Sequence, residues 1–355
     1  MKIVIATNHT YPPQRVGGSE SSMHGICVAL CKQGFDVAVL AKWSVRQPSA
    51  WTYFRSAAGQ PHFRLVRDDP FGYPVYRARD PATAITELVN DLGPDIAVVN
   101  SGQPMRLAQQ FTSLGVPTIV YFRDTLFQDL GGPVRQSSNL QFVTTSQALA
   151  QRVEQKFGVR PICIPPIIVP ELYQVEPTRR NVTFVCPVPA KGLDIALKLA
   201  TQRPDVPFVF QESWPINMAR RFVRYLQIRQ YENVVLRSQT QDMRTVYREA
   251  KVALIPSPSF EGWGRVASEA QVSAIPVLAS NVGGLPEAVG DGGILVDPSS
   301  DIGTWASALA RLWDDPAEYD RISDLALNHS QRPEFTKEAL AERLISVISE
   351  LLLAT

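Results

Sequence analysis

The chain has 355 residues, with 35 Lys and Arg against 34 Asp and Glu, so its formal net charge is +1. This balance excludes a strongly basic nucleic-acid binder, and any recognition of phosphate has to be local. Hydrophobic residues make up 45% of the chain and charged residues 19%, which excludes a disordered protein. The length predicts two domains that fold without a disulfide or metal staple.

Cysteine usage and the amino terminus both favour a reducing cytoplasm. The four cysteines, Cys27, Cys31, Cys163 and Cys186, include no C-x-x-C pair. The first apolar run is too short for a signal peptide, and no stretch reaches the roughly 18 apolar residues of a membrane span. We therefore expect a cytoplasmic protein, with peripheral membrane contact as an open alternative.

Apolar, β-branched segments alternate with amphipathic ones along the first half of the chain. The predicted strands are residues 3–7, 36–41, 96–100, 118–122 and 142–145. Helical patterns fill the gaps, for example at 20–33 and 82–92. The clearest helix begins after its N-cap, Ser146, and ends at Gly158. Strands that are apolar almost throughout are covered on both faces, so the pattern predicts a doubly wound parallel sheet.

A proline-rich segment at 161–180 interrupts the alternation and is typical of a linker. Strands and helices then resume, and the last 50 residues show helical patterns only. The predicted strands of this half are residues 182–186, 208–210, 234–236, 252–255, 276–279 and 294–296. We predict two Rossmann-like α/β domains, over 1–170 and 171–335. A terminal helix over 336–355 follows, for which a return to the first domain is one option.

Two glutamates stand out in the segment IPSPSFEGWGRVASEA at 255–270. Glu261 falls in a loop after a predicted strand, and Glu269 falls in the following helix with seven residues between them. Glu269 lies near the apolar face of that helix, where a carboxylate needs hydrogen-bond donors such as the hydroxyls of a ribose. Taken singly, each glutamate is also consistent with an ordinary solvated residue.

The residues between these glutamates are suited to contact a ligand. Gly262 and Gly264 let the backbone approach closely. The amides of Gly264, Arg265 and Val266 would be unsatisfied donors at the helix start, where a phosphate can bind. The predicted ligand-binding loop comprises Gly262, Trp263, Gly264, Arg265 and Val266.

This segment resembles the Glu-x7-Glu signature of family 4 glycosyltransferases, which are retaining enzymes of the GT-B fold. The resemblance continues through IPVLASNVGGLPE at 275–287 and DGGILV at 291–296. Further upstream, GGSE at 17–20 resembles the family's glycine loop, and KG at 191–192 resembles its Lys-Gly pair. The resemblance implies two Rossmann-like domains that face a central cleft. It also implies a nucleotide-sugar donor as co-substrate, a hydroxyl acceptor (glycan, glycolipid or small molecule), and no metal or other cofactor.

The resemblance also assigns roles to individual residues. The counterpart of Glu261 orients the donor sugar, and that of Glu269 binds the nucleotide ribose. Lys191 would place a cation against the donor diphosphate, where charge develops as the glycosidic bond breaks.

Two glycine pairs belong to the predicted site. Gly17 and Gly18 precede a helix for which Ser19 is a candidate N-cap, so their loop can approach phosphates. Such a pair is also common in any strand-to-helix turn. Gly283 and Gly284 are predicted either to contact the donor or to form a purely structural turn.

The sequence departs from the family pattern at three places, the first being PPIIV at 165–169 where a Pro-Asn-Gly-like segment is expected. Cys186 stands where an arginine is common, so Arg265 is predicted to take part of that arginine's role at the phosphates. Arg123-Asp124 stands where His-Asp is common. An arginine stays protonated and cannot relay protons. Arg123 is therefore predicted to bind the acceptor or a donor phosphate, with Asp124 beside it.

Residues 42–69 interleave five aromatic residues with four arginines. They can dock on an anionic lipid surface or a polyprenyl-phosphate acceptor, or simply cover a sheet edge.

The four histidines are too scattered for a metal site. Two alternatives stay open: a nucleotide-sugar epimerase or phosphorylase on the same fold, and a non-catalytic nucleotide-sugar-binding subunit. The oligomeric state is also open.

Overall fold

A computed structural model describes residues 1–14, 17–44, 65–213 and 218–355. The chain forms two compact units. Unit 1 comprises Met1–Ile167 together with Lys337–Thr355, and unit 2 comprises Ile168–Thr336.

Unit 1 is built on one large, mostly parallel sheet. Its strands are β1 (Lys2–Thr10), β2 (Asp36–Lys42), β3 (Leu65–Asp68), β4 (Val75–Ala78), β5 (Ile96–Asn100), β6 (Thr118–Phe122), β7 (Leu140–Thr144) and β8 (Ile162–Cys163). Over the described residues the order is β3-β4-β2-β1-β5-β6-β7-β8. Among these described strands, only β3 runs antiparallel to its neighbour. Its first helices are α1 (Gly18–Lys32), α2 (Pro81–Leu92), α3 (Pro104–Ser113) and α4 (Gln147–Phe157).

The sequence predicts the N-cap of α4 correctly and the N-cap of α1 incorrectly. The Ser146 hydroxyl accepts from the Leu149 amide at 3.0 Å, and Gly158 closes α4 with a left-handed φ of 70°. Both observations confirm the prediction for this helix. By contrast, α1 starts at Gly18 with no side-chain cap. The predicted N-cap was wrong because the Ser19 hydroxyl bonds the Ser101 hydroxyl at 3.1 Å instead.

Three strands of unit 1, β3, β4 and β8, are absent from the predicted set. Strand β4 contains Arg77, which interrupts an apolar pattern but is fully buried. Its guanidinium is satisfied there by Asp68 and by the carbonyls of Tyr11 and Pro12. Residues 65–68, predicted as part of a surface loop, form β3. Within the segment 42–69, residues 45–64 lie outside the described residues.

Unit 2 contains a second parallel sheet. Its strands are β9 (Asn181–Val185), β10 (Phe208–Gln211), β11 (Val234–Arg237), β12 (Ala250–Ile255), β13 (Val277–Ser280) and β14 (Gly293–Val296). The order is β11-β10-β9-β12-β13-β14 over the part of unit 2 that is described. Its helices are α5 (Leu193–Gln202), α6 (Met218–Ile228), α7 (Arg244–Tyr247), α8 (Arg265–Gln271), α9 (Leu285–Val289), α10 (Ile302–Trp313) and α11 (Pro316–Ser330).

Both faces of this sheet are covered, as its near-continuous apolar strands predict. One core cluster includes Phe208 and Trp305, and a second includes Tyr247 and Ile275. The last helix, α12 (Lys337–Ala354), belongs to unit 1. No helix in the described ranges combines the length and apolar character that crossing a bilayer requires.

Candidate active site

Each sheet has a point at which the strand order reverses, and open α/β sheets bind ligands at such points. In unit 2 the reversal lies between β9 and β12. The chain leaves β9 at Cys186 and leaves β12 at Pro256. Side chains that follow these two strands therefore meet at the carboxyl edge of the sheet.

A lysine and a glutamate meet at this reversal point. The Lys191 Nζ donates to Glu261 Oε1 at 2.5 Å, and the Ser257 hydroxyl donates to the same oxygen at 2.5 Å. Neither bond involves Glu261 Oε2. The Lys191 side chain is 32% exposed and that of Glu261 is 15% exposed. A cation and a carboxylate thus lie together within reach of a ligand from solvent.

The turn that carries Lys191 depends on the glycine that follows it. Pro189–Lys191 forms a 3₁₀ turn, and Gly192 then adopts a φ of 89°. A Cβ atom on Gly192 would lie 1.9 Å from the carbonyl oxygen of Pro256. The loop after β9 can therefore contact the loop after β12 only because residue 192 has no side chain.

Replacing Gly192 with alanine is expected to destabilise unit 2 by about 2–3 kcal/mol. About 1–2 kcal/mol comes from the left-handed backbone, and the clash with Pro256 adds the rest. Gly158→Ala is the matched control, because Gly158 also has a left-handed φ but no atom within 4 Å of its Cβ position. Urea unfolding checks this. Equal losses in the two variants would show that the contact with Pro256 is unimportant.

The second glycine pair supports the backbone of Glu261. Gly283 has a φ of 56°, and a Cβ atom there would lie 2.3 Å from the Glu261 carbonyl oxygen. The Gly284 amide donates to the same carbonyl at 2.8 Å. The pair therefore holds the Glu261 loop in place. Its contact with a donor stays a prediction.

Glu269 lies in a buried polar cluster next to the start of α8. Its carboxylate is 3.1 Å from Arg265 Nη2 and accepts from the Tyr247 hydroxyl at 2.9 Å. Arg265 also donates to the Tyr173 hydroxyl at 2.9 Å. Burial raises the pKa of Glu269, and the charge of Arg265 opposes that rise.

These contacts give the Arg265 side chain a role within unit 2, and its action at the donor phosphates stays a prediction. The sequence predicts that the Arg265 guanidinium supplies part of the positive charge missing at Cys186. In the structure, the guanidinium balances the carboxylate of Glu269. Burial raises the pKa of the Cys186 thiol, and the charges of Lys191 and Arg224 oppose the rise. Arg224 of α6 is therefore a second cation, besides Lys191, that acts electrostatically on Cys186.

Gly262 is the first residue of the predicted ligand-binding loop. The side chains of Trp263 and Val266 in this loop pack against the core of unit 2. The Trp263 indole is buried, donates to the Ser268 hydroxyl at 3.0 Å and lies 5.7 Å from the Phe335 ring. Val266 packs against the same core cluster. Gly264 has a φ of 104° and closely approaches a neighbouring leucine. Since the Trp263 side chain belongs to the core, any contact of Trp263 with a ligand would involve its backbone, and that contact stays a prediction.

Unit 1 presents a second group of polar residues at its own strand reversal, between β1 and β5. Gly17, with extended backbone, and Gly18 lead into α1 there. Glu20 is buried, and its Oε1 lies 3.5 Å from His9 Nδ1. The predicted glycine loop therefore sits at a position where α/β sheets bind ligands.

Arg123 and Asp124 follow β6, the strand next to β5. The Arg123 guanidinium donates to the Met23 sulfur at 2.9 Å and lies 4.3 Å from the centre of the Tyr121 ring. Asp124 accepts from the Leu126 amide at 2.9 Å. Arg123 is thus held as a fixed cation against α1.

Sequence reasoning missed several polar residues of these two groups. Ser257 lies in the distinctive segment at 255–270, and its position four residues before Glu261 could have suggested a contact across the loop. Tyr173 and Tyr247 carried no signal, because both are distant in sequence from Glu269. His9 is one of the four histidines that are scattered in sequence, yet it lies close to Glu20 in the structure.

The two α/β units, each with polar residues at its strand reversal, define the GT-B fold class, and solved structures share it. Sucrose-phosphate synthase from Thermosynechococcus elongatus aligns with a TM-score of 0.78 at 18% identity, covering 100% of both chains. Anabaena HepE in complex with UDP-glucose aligns with a TM-score of 0.76 at 16% identity, covering 98% of this chain and 99% of HepE. The predicted fold class is confirmed.

Sequence comparison places the similarity in unit 2. Residues 188–329 match the family model described as glycosyl transferases group 1. The D-inositol 3-phosphate glycosyltransferase of Corynebacterium diphtheriae is 43% identical over 112 residues. This alignment covers 31% of the chain and 25% of that relative, so the match spans about a quarter of the relative's length. Lys191 and Glu261 both fall within the segment that matches the family model.

Proposed function

We propose that the chain is a retaining, family 4 glycosyltransferase that moves a hexosyl group from a nucleotide sugar to a hydroxyl acceptor. The Lys191–Glu261 pair carries the proposal, because it lies at the strand reversal of unit 2 and within the segment similar to glycosyl transferases group 1. A nucleotide sugar offers an anionic diphosphate to the lysine and sugar hydroxyls to the glutamate. The UDP-glucose complex of HepE, which has the same fold, agrees with such a donor.

In the proposed donor site each group has a separate task. Lys191 faces the diphosphate, and Arg224 adds positive charge near Cys186. Glu261 keeps the bond from Ser257 to Oε1, while Oε2 accepts from a hydroxyl of the donor sugar. The backbone of residues 262–266 and 283–284 lines the site, and Glu269 is the proposed partner of the ribose.

The chemical step breaks the bond between the sugar C1 and the leaving phosphate oxygen. An acceptor hydroxyl attacks C1 from the same face and passes its proton to the departing phosphate oxygen, so the anomeric configuration is retained. Negative charge grows on the diphosphate as the bond breaks. Lys191 stabilises that charge more than it stabilises the ground state, which is the usual source of electrostatic catalysis.

The acceptor is proposed to bind unit 1. Gly17 and Gly18 lie at its strand reversal, and Arg123 with Asp124 ends the neighbouring strand. A fixed arginine suits an acceptor or donor phosphate that carries negative charge. We further propose that the reaction takes place in the cytoplasm and needs no metal or cofactor besides the donor.

The proposal predicts that one nucleotide sugar stabilises the protein. UDP-, GDP-, ADP- and dTDP-glucose are compared by thermal shift, because a ligand that binds the native state raises the melting temperature. The best donor is then tested for hydrolysis and transfer. Glu261→Gln is expected to lower turnover at least tenfold, because Oε1 loses charge-assisted bonds. Glu176→Gln, an exposed glutamate of the same unit, is the control.

The outcomes separate the alternatives. Interconversion of nucleotide sugars without an acceptor would indicate an epimerase, and consumption of phosphate with release of a sugar phosphate would indicate a phosphorylase. Stabilisation without any turnover would indicate a binding subunit. Unchanged turnover in a folded Glu261→Gln variant would overturn the role given to Glu261.

A further inference from the structure

Helix α6 exposes several large apolar side chains to solvent. Phe222, Val223, Tyr225 and Leu226 are 61%, 64%, 51% and 43% exposed. Residues of an α-helix are about 100° apart, so these four cover a continuous arc of about 160°. We call them the outer face of α6.

The opposite side of α6 holds the helix to unit 2. Arg221 Nε lies 3.1 Å from Oε2 of the buried Glu212, and Arg221 also donates to the Ser238 hydroxyl. Ile228 is buried at the helix end. A surface helix ordinarily buries its apolar stripe and exposes its charges. Helix α6 does the reverse, so packing within unit 2 does not account for its outer face.

The exposed charge that borders the outer face at the end of its own helix is positive and comes from Arg229. Residues 218–230 contain four arginines and no aspartate or glutamate. Arg229 is exposed one turn after Tyr225. The adjacent edge strand β11 adds Val235, which is 54% exposed. Aromatic and aliphatic side chains beside arginines are typical of helices that lie flat on an anionic bilayer.

We propose that the outer face of α6 docks on membranes that contain anionic lipids. Phe222, Val223, Tyr225 and Leu226 enter the boundary between headgroups and acyl chains, and Arg229 meets the headgroup phosphates. A second copy of the chain is a poorer occupant, because a two-fold contact would set the Arg229 side chains of the two copies against one another. The surface is distinct from residues 42–69, which sequence reasoning considered for this role. The proposal is independent of the sugar-transfer function.

Flotation with lipid vesicles tests the proposal. Vesicles of phosphatidylcholine alone are compared with vesicles of phosphatidylcholine and phosphatidylglycerol in equal parts. We expect the full chain to float with the anionic vesicles. The double variant Phe222→Ser, Leu226→Ser is expected to bind them at least roughly tenfold more weakly, since two apolar anchors are lost. Arg229→Glu is expected to weaken binding to the anionic vesicles as well.

A matched control removes two exposed leucines elsewhere. Leu126→Ser, Leu172→Ser loses residues that are 55% and 50% exposed and should bind vesicles as the unaltered chain does. Retained melting temperatures show that all variants are folded. The proposal fails if the unaltered chain does not float or if the α6 variant floats equally well. It also fails if the α6 variant only converts an oligomer into a monomer in sedimentation velocity, because the outer face would then bind a second copy.

Discussion

Replacing Lys191 with alanine is expected to lower the rate of sugar transfer roughly 10²–10³-fold, the usual cost of removing one group that stabilises developing charge. The side chain bonds Glu261 at 2.5 Å at the strand reversal of unit 2. It is partly exposed, so its loss should leave the fold intact. The effect should appear mainly in turnover, because charge grows on the leaving diphosphate during bond cleavage. Steady-state kinetics with the donor found by thermal shift measure it.

Lys198→Ala is the matched control for this experiment. Lys198 lies on α5, the helix that follows Lys191, and its side chain is exposed. Both variants lose one positive charge from the same unit, so a general change in the electrostatic field would affect them alike. Equal turnover in Lys191→Ala and Lys198→Ala would contradict the placement of Lys191 at the leaving group.

The sequence predicts the strands of unit 2 well because they are buried on both faces. All six predicted strands of this unit correspond to β9–β14, with ends that shift by one or two residues. A strand covered by helices on both faces must be apolar throughout, and that pattern is visible without any tertiary information. The helix cap at Ser146 is similarly local, because donor and acceptor are three residues apart.

Elements held together by distant polar contacts could not be predicted in the same way. Arg77 looks like a surface residue, and only Asp68 and the Tyr11 and Pro12 carbonyls make its burial in β4 possible. The candidate site likewise contains residues that the sequence identifies and contacts that it does not reveal. The resemblance assigns Lys191 and Glu261 separate roles at one donor site, and the structure shows that their side chains are in contact. The contact between Arg265 and Tyr173 could not be predicted, because the sequence does not show where Tyr173 lies relative to Arg265.

Replacing Arg265 with methionine is expected to destabilise unit 2 by roughly 3–5 kcal/mol, because it leaves a buried carboxylate without its counter-charge. The side chains of Arg265 and Glu269 are 13% and 8% exposed, and their charged atoms are 3.1 Å apart. Arg160→Met is the matched control. Its pair with Glu154 is also 3.1 Å, but Arg160 is 90% exposed, so no measurable change is expected. Urea unfolding compares the two variants.

The loss of folding stability in Arg265→Met should also depend on pH. The pKa of Glu269 determines whether that loss grows or shrinks as the pH rises. Burial already raises this pKa above the ordinary value of 4.5, and Arg265 opposes the rise. Without Arg265 the folded pKa rises further. A raised carboxyl pKa gives stability that is fully present below 4.5 and is lost as the pH rises through the folded value. Arg265→Met should therefore be closer to the unaltered protein at pH 5 than at pH 8.

A second substitution separates buried charge from lost packing. Adding Glu269→Gln to Arg265→Met removes the unbalanced charge but keeps the side-chain size and its bond to Tyr247. If charge causes the instability, the double variant should recover stability at pH 8 and lose the pH dependence. If packing causes it, the double variant should be as unstable as Arg265→Met at both pH values. Recovery would mean that Arg265 serves to keep Glu269 ionised inside unit 2, which the proposed contact with a ribose requires.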